Sequence, residues 1–178
     1  METIDNKILL SEAASASLIF AAVSGAYVFL GPVLSNTAAA WVYQLFALAK
    51  LVGLIWLMRF LMGKMRKNYD IGRVQIRRYG TWIALISAIL TAACSYICIE
   101  YAFPDFYKET LDEVWKTMGS MMDDNSRGVI EYYENNLAMI SMASNLIWCF
   151  LYGWVLSCIL APRVAPANNI FDDSEDDE

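Results

Sequence analysis

Lys50 is the residue whose type and position are most able to support chemistry, because it interrupts a long uncharged run. No charged residue occurs between Glu12 and Lys50. In an apolar span at about 38–62, Lys50 lies about 12 residues from either end, or roughly 18 Å at the α-helical rise. An ionisable side chain at such depth is a functional hypothesis by default. One interpretation of Lys50 is that it lines a substrate, ion or proton pathway near the midplane of the membrane, or is a desolvated lysine. The alternative is that it forms a polar clasp, a contact that holds the helices of the bundle, or a partner subunit, together.

Candidate partners for Lys50 are found by counting inward from the outer ends of the other apolar runs. Asn145 falls at a similar depth, together with Ser95, Thr91 and Ser24. Glu100 lies nearer the outside and would meet Lys50 only if both side chains lean toward each other. Lys50, Asn145 and Glu100 are therefore the candidate functional polar residues.

Signals of a soluble enzyme are absent from the sequence. The chain contains no histidine, which excludes histidine-based triads, HExxH zinc sites and histidine proton relays. Phosphate-binding and dinucleotide-binding glycine loops and the GxSxG nucleophile elbow are also missing. The four cysteines lie inside apolar runs without other ligands nearby: Cys94, Cys98, Cys149 and Cys158. We expect no catalytic residues, no cofactor and no metal.

Three uncharged runs are long enough to cross a bilayer. They lie between Glu12 and Lys50, between Arg78 and Glu100, and between Glu134 and Arg163. A helical crossing needs about 20 apolar residues, and the first run holds one span and part of another. The sequence predicts an all-α, four-helix transmembrane bundle in one membrane domain, 1–162. Its spans are expected at about 13–30, 38–62, 79–103 and 137–160.

A basic segment, 64–78, separates the second span from the third. It contains one acid, Asp70, and six cations: Lys64, Arg66, Lys67, Arg73, Arg77 and Arg78. Short loops rich in Lys and Arg stay on the cytoplasmic side. We therefore expect a multi-pass inner-membrane protein with both termini cytoplasmic and with these six cations facing anionic lipid headgroups. Nucleic acid is not an expected partner, because the basic patch adjoins two spans.

The region between the third and fourth spans, 105–136, has the pattern of an amphipathic helical hairpin. Apolar residues recur at helical spacing from Tyr107 through Leu111 and Val114 to Met118. Turn-forming residues at 123–128 separate this helix from a second one. We expect this hairpin on the extracytoplasmic side, and we expect the acidic tail, 163–178, to be disordered in the cytoplasm.

The order of these features resembles a known family. Two apolar spans precede a short loop around Ile71 that leads into a third span at Gly80. That span ends at Pro104-Asp105-Phe106, which opens an amphipathic helix over 107–122 before the fourth span. The arrangement resembles the bacterial domain-of-unknown-function family 4199 over most of residues 10–160. The resemblance implies an integral membrane protein and supplies no catalytic residues.

Two functional hypotheses follow. The first is an accessory or structural protein that binds another membrane protein, or a second copy of itself, through its external helices and small-residue faces. The alternative is a small oligomeric transporter or channel subunit that uses Lys50. A polar cavity around Lys50 that is open to either side would favour transport, whereas a dry, packed midplane would favour the accessory role.

Overall fold

The structure is a computed structural model that describes residues 6–35, 40–69, 71–118 and 124–165. These residues form α1 (Asn6–Ser35), α2 (Ala40–Tyr69), α3 (Arg73–Ile97), α4 (Pro104–Met118) and α5 (Asp124–Val164), with a π-helical turn, Cys98–Ala102, extending α3. Four helical stretches are long and apolar enough to cross a membrane: Asn6–Leu34, Trp41–Tyr69, Arg73–Ala102 and Tyr132–Val164. The predicted all-α four-helix bundle is confirmed. The acidic tail from 166 onward and residues 119–123 lie outside the described residues. Of the turn predicted at 123–128, the described part is already helical, because α5 begins at Asp124.

The basic segment is mostly helical. α2 continues to Tyr69 and α3 begins at Arg73, so both helices extend beyond the predicted span ends. Lys and Arg are good helix formers, and cations in the last turn of α2 interact favourably with the helix dipole. The backbone N–H of Gly72 donates to Gln75 Oε1 at 3.2 Å, which satisfies a free donor at the start of α3.

α3 is the central helix, and it packs mainly against α5 and α1. Half of its most apolar window is buried (50%), against 17% for α2. Small residues permit close approach: a Cβ added at Gly153 of α5 would lie 2.6 Å from the Cβ of Ala84. One turn away, a Cβ at Gly80 would lie 2.5 Å from Ser157 Oγ. The Ser157 hydroxyl donates to the Arg77 carbonyl at 2.9 Å, which ties α5 to α3.

The main hydrophobic core lies at the end of the bundle where α2 connects to α3, called here the α2–α3 end. Its innermost side chains are Met58, Met62, Ile76 and Ile83, each at most 1% exposed. Met is unbranched and fills irregular gaps between helices. This end is therefore closely packed and apolar.

The opposite end, called here the α4 end, contains the irregular backbone. The π-helical turn is closed by a bond from the Phe103 N–H to the Cys98 carbonyl at 2.9 Å. Pro104 then begins α4, where its missing N–H costs nothing. α5 has a kink at Asn136 (φ −121, ψ 16), whose side-chain amide donates to the Tyr132 carbonyl at 2.9 Å. The described part of the region between spans three and four is thus helical, as predicted.

Candidate functional site: a lysine between two intramembrane cavities

One side chain from each of the four long helices lies where two cavities meet. Ser24 of α1, Lys50 of α2, Thr91 of α3 and Cys149 of α5 line both. The apolar cavity, about 230 Å³, extends from this junction toward the α2–α3 end. The polar cavity, about 360 Å³, extends toward the α4 end. The four-helix packing therefore leaves the midplane open around Lys50.

The Lys50 side chain leans toward the α4 end. Helical side chains point toward the N-terminus of their own helix, and the N-terminus of α2 is at that end. Lys50 Nζ lies 3.9 Å from the centroid of the Tyr27 ring, and Tyr27 stacks on Tyr43 with centroids 4.9 Å apart. The ammonium is thus held by a cation–π contact, a weak interaction of about 0.5–2 kcal/mol.

Neither cavity is lined by a carboxylate among the residues that the structure describes. Among the described residues, Lys50 is the one ionisable lysine, arginine, aspartate or glutamate that lines either cavity. An aromatic ring stabilises a cation but does not neutralise it. When Lys50 is protonated, the site therefore has a net positive charge.

Asn145 supplies the most polar wall of the polar cavity. Its side-chain amide donates to Ser95 Oγ at 2.8 Å, and Ser95 is only 2% exposed. Thr91 lies one helical turn from Ser95 and lines the same cavity. The structure therefore brings Lys50 and Asn145 to one cavity.

The first turn of α4 contributes to the α4 end of the polar cavity. Phe106 and Tyr107 line it opposite Gly31 and Pro32 of α1. The Tyr107 hydroxyl lies 3.8 Å from Cys98 Sγ in the π-helical turn. Burial, aided by Cys98, raises the pKa of Tyr107 above its ordinary value. Tyr107 therefore keeps its proton and presents a neutral hydroxyl.

Glu100 is not brought to this site. It is exposed and lines a neighbouring cavity of about 250 Å³ with Lys108 and Glu134; this cavity shares Ile99 and Tyr107 with the polar cavity. Glu100 itself does not line the polar cavity, because successive side chains in the π-helical turn point in different directions. Depth along the helix was therefore not sufficient to place Glu100 beside Lys50.

The basic segment divides into two kinds of side chain. The exposed cations are Lys64, Lys67, Arg73, Arg77 and Arg78. Arg66 is half-buried, and its guanidinium donates to the Val164 carbonyl at the end of α5. Arg66 therefore caps the C-terminus of α5, and its contact with lipid headgroups stays a prediction.

Several lining residues were missed by sequence reasoning. Tyr27 and Tyr43 under the ammonium, Tyr107 and Ser141 near the α4 end, and Cys149 at the junction were not assigned to the site. Tyr107 lies in α4, outside the four spans, so no depth count applied to it. For the other four residues the available signal was depth along a span, by the same count that placed Asn145 near Lys50. Their inward orientation was not readable, because these helices are apolar on every face.

Comparison with known proteins yields a family and no characterised relative. No curated protein and no solved structure matches the chain. Residues 15–163 match the family model described as "Protein of unknown function (DUF4199)". That match covers most of the chain, including α4 and most of each of the four membrane-length helices; residues 6–14 of α1 and Val164 of α5 lie outside it. The chain therefore belongs to the DUF4199 family.

Proposed function

We propose that this protein binds a small anionic solute in the cavity at Lys50 and serves as a non-catalytic subunit of an oligomeric transporter or channel. The observation that carries this proposal is the Lys50 ammonium at the junction of two intramembrane cavities whose described lining contains no carboxylate. The sequence favoured an accessory role first; the open midplane favours the transport alternative.

Electrostatics supports an anion. A charge inside the bilayer is costly and is retained where it pairs or lines a pathway. The Tyr27 ring orients the ammonium without cancelling its charge, so a bound anion would supply the missing pairing. A cation would be repelled, and a proton relay of the usual kind needs a chain of carboxylates or histidines.

The proposed orientation follows from the exposed cations of the basic segment. Lys64, Lys67, Arg73, Arg77 and Arg78 are placed in the cytoplasm of a bacterial cell, next to anionic headgroups of the inner membrane. Both termini are then cytoplasmic, and α4 and the polar cavity are extracytoplasmic. A reporter fused at Asp70 should be active in the cytoplasm, and periplasmic activity would overturn this orientation.

The oligomer is supported by the outer face of α2. A stripe of large apolar side chains is more than half exposed: Trp41, Leu45, Leu48, Val52 and Trp56. Four spans are few for a lone transporter, so we propose that part of this face contacts a second copy. The accessory role is the second candidate, favoured by the same exposed stripe. The small faces Gly80, Ala84 and Gly153 are used inside the bundle and are not open to a partner.

The experiment is solute flux in proteoliposomes that contain the full chain. Acetate, chloride and phosphate are the anionic probes, and choline is the cationic one. We expect flux of at least one anion but not of choline, reduced about tenfold or more by Lys50→Met, which removes about 1.4 kcal/mol or more of stabilisation. Lys50→Arg should keep most of the flux, because it keeps the charge.

Lys67→Met is the matched control, since Lys67 is an exposed lysine on the same helix. It should leave flux unchanged. Equal anion flux in Lys50→Met and the unaltered protein would overturn the proposal, as would choline flux above that of empty liposomes. A protein that passes none of the probes but forms a stable complex with a second membrane protein would favour the accessory role.

A further inference from the structure

We infer that the anion is amphipathic, with an acidic head at Lys50 and one short apolar tail in the apolar cavity, as in a medium-chain carboxylate. This inference rests on the proposed function and deepens it. The observation behind it is the apolar cavity, because the charge of Lys50 gives no reason for an apolar cavity beside the polar one.

The apolar cavity has the lining of a tail-binding site. Beyond the junction its walls include the aliphatic side chains Leu54, Met58, Ile83 and Leu156. Its volume of about 230 Å³ suits one short chain, and the exposed Leu51 and Trp148 on its wall leave it partly open to the surface of the bundle. It shares its junction residues with the polar cavity, so one molecule can occupy both cavities.

Poor packing does not account for this cavity. Next to it, α3 and α5 approach so closely that a Cβ at Gly153 would lie 2.6 Å from Ala84 Cβ. Gly153, Ala84 and Ser87 themselves line the cavity, and their small side chains keep it open. Cavities lined by apolar groups stay dry and bind apolar molecules. A hydrophilic anion would fill the polar cavity and leave this one empty.

The head and the tail have separate recognition chemistry. A carboxylate at the junction would pair with the Lys50 ammonium within reach of the Thr91 hydroxyl. The tail would then point toward the α2–α3 end, where the core is closed by residues such as Met58. A closed end predicts a limit to chain length: affinity should rise with the first methylenes and then stop rising.

The experiment is equilibrium binding of acetate, octanoate and octanol to the detergent-solubilised full chain. Each fully buried methylene contributes about fourfold in affinity. We therefore expect octanoate to bind about tenfold tighter than acetate or better, after subtraction of binding to Lys50→Met in the same detergent. Octanol should show no binding that depends on Lys50. Lysophosphatidate with an eight-carbon chain tests whether a lipid head serves as well as a free carboxylate.

Ser87→Leu fills the apolar cavity and tests the tail alone. The Ser87 hydroxyl bonds only to the Ala84 carbonyl of its own helix at 3.2 Å, so its loss leaves no unpaired partner on another helix. We expect octanoate affinity to fall to the acetate level while acetate binding is unchanged. Ser15→Leu is the matched control, because Ser15 is exposed and also bonds within its helix, to the Ser11 carbonyl at 3.2 Å. Leu54→Phe is a second filling variant for use if Ser87→Leu does not fold.

The outcomes separate this inference from the proposed function. Acetate that binds through Lys50 no more weakly than octanoate would overturn the amphipathic ligand and leave anion binding intact. Octanoate affinity that is unchanged in both Ser87→Leu and Leu54→Phe would also overturn the amphipathic ligand and leave anion binding intact. Binding of every anion that is insensitive to Lys50→Met would overturn the proposed function itself.

Discussion

The two ends of this bundle use the same four helices in different ways. At the α2–α3 end, the helices enclose a closely packed core around Met62 and Ile76, both 0% exposed. At the α4 end, they enclose a cavity lined by Lys50, Asn145 and tyrosine hydroxyls. The difference indicates that one end supplies most of the packing and the other holds most of the polar groups of the proposed binding site.

α3 makes this division workable because it runs through both ends. Near the α2–α3 end its small residues let α5 approach closely, as at Ala84 and Gly153. Toward the α4 end it presents Thr91 and Ser95 to the polar cavity. A rigid central helix can hold cavity walls apart because packed interiors deform little. Substitutions should therefore act on stability at one end and on ligand binding at the other.

The largest expected effect is at the close contact between Gly153 of α5 and Ala84 of α3. Gly153→Leu should destabilise the protein by about 3 kcal/mol, since overpacking of this size forces helices apart. Thermal denaturation in detergent measures the loss. Gly53→Leu is the control, because a Cβ at Gly53 meets nothing within 4 Å. Equal effects of the two substitutions would contradict the close α3–α5 contact.

A core deletion at the α2–α3 end should come next. Met62→Ala should cost about 2 kcal/mol, mainly through the cavity it leaves between packed helices. Met139 is 58% exposed, so Met139→Ala should change stability by less than about 0.5 kcal/mol. The same denaturation measurement applies. A smaller loss for Met62→Ala than for Met139→Ala would show that this end does not carry the packing.

Within the basic segment, one cation should matter for folding and its neighbour should not. Arg66→Met removes the bond to the Val164 carbonyl and should cost about 1 kcal/mol. Lys67→Met should be close to neutral, because Lys67 is exposed. Amide hydrogen exchange at the end of α5 should rise in the first variant only. Unchanged hydrogen exchange in Arg66→Met would show that Arg66 does not cap α5.

The smallest effect on stability is expected at the α4 end, at Lys50. Lys50→Met should change the free energy of unfolding by no more than about 0.5 kcal/mol, or raise it. The reason is that an apolar chain of similar length replaces a charge that lacks an ionic partner. Thermal denaturation and anion binding on the same sample provide the check. Unfolding of Lys50→Met would favour the clasp hypothesis over ligand binding.

Much of the fold was predictable because hydropathy reports burial in lipid directly. The four spans, the helical region after Pro104 and the all-α class followed from apolar run length. Helix ends were harder: α2 and α3 extend into the basic segment, because charged residues at span ends are helix formers as well as lipid anchors. The family resemblance was confirmed by the match over residues 15–163.

The site was only partly predictable. Lys50 was identified because a lone charged residue in a long apolar run is visible in any stretch of sequence that contains it. Asn145 was identified because its depth along the fourth span could be counted. The directions in which Arg66 and Glu100 point could not be predicted, for a common reason. Sequence position along a helix sets depth, but the direction around the helix axis depends on packing.

The sequence alone determined that four apolar helices form, that one of them carries a lysine at mid-depth, and that cations gather at one end. These follow from composition and helical rise, which are properties of single segments. Only the tertiary structure decided that Lys50 rests on Tyr27, that Glu100 faces another cavity, and that Gly153 meets Ala84. Helices that are apolar on every face carry no amphipathic signal to orient them, so their rotation was settled by small residues meeting across the bundle.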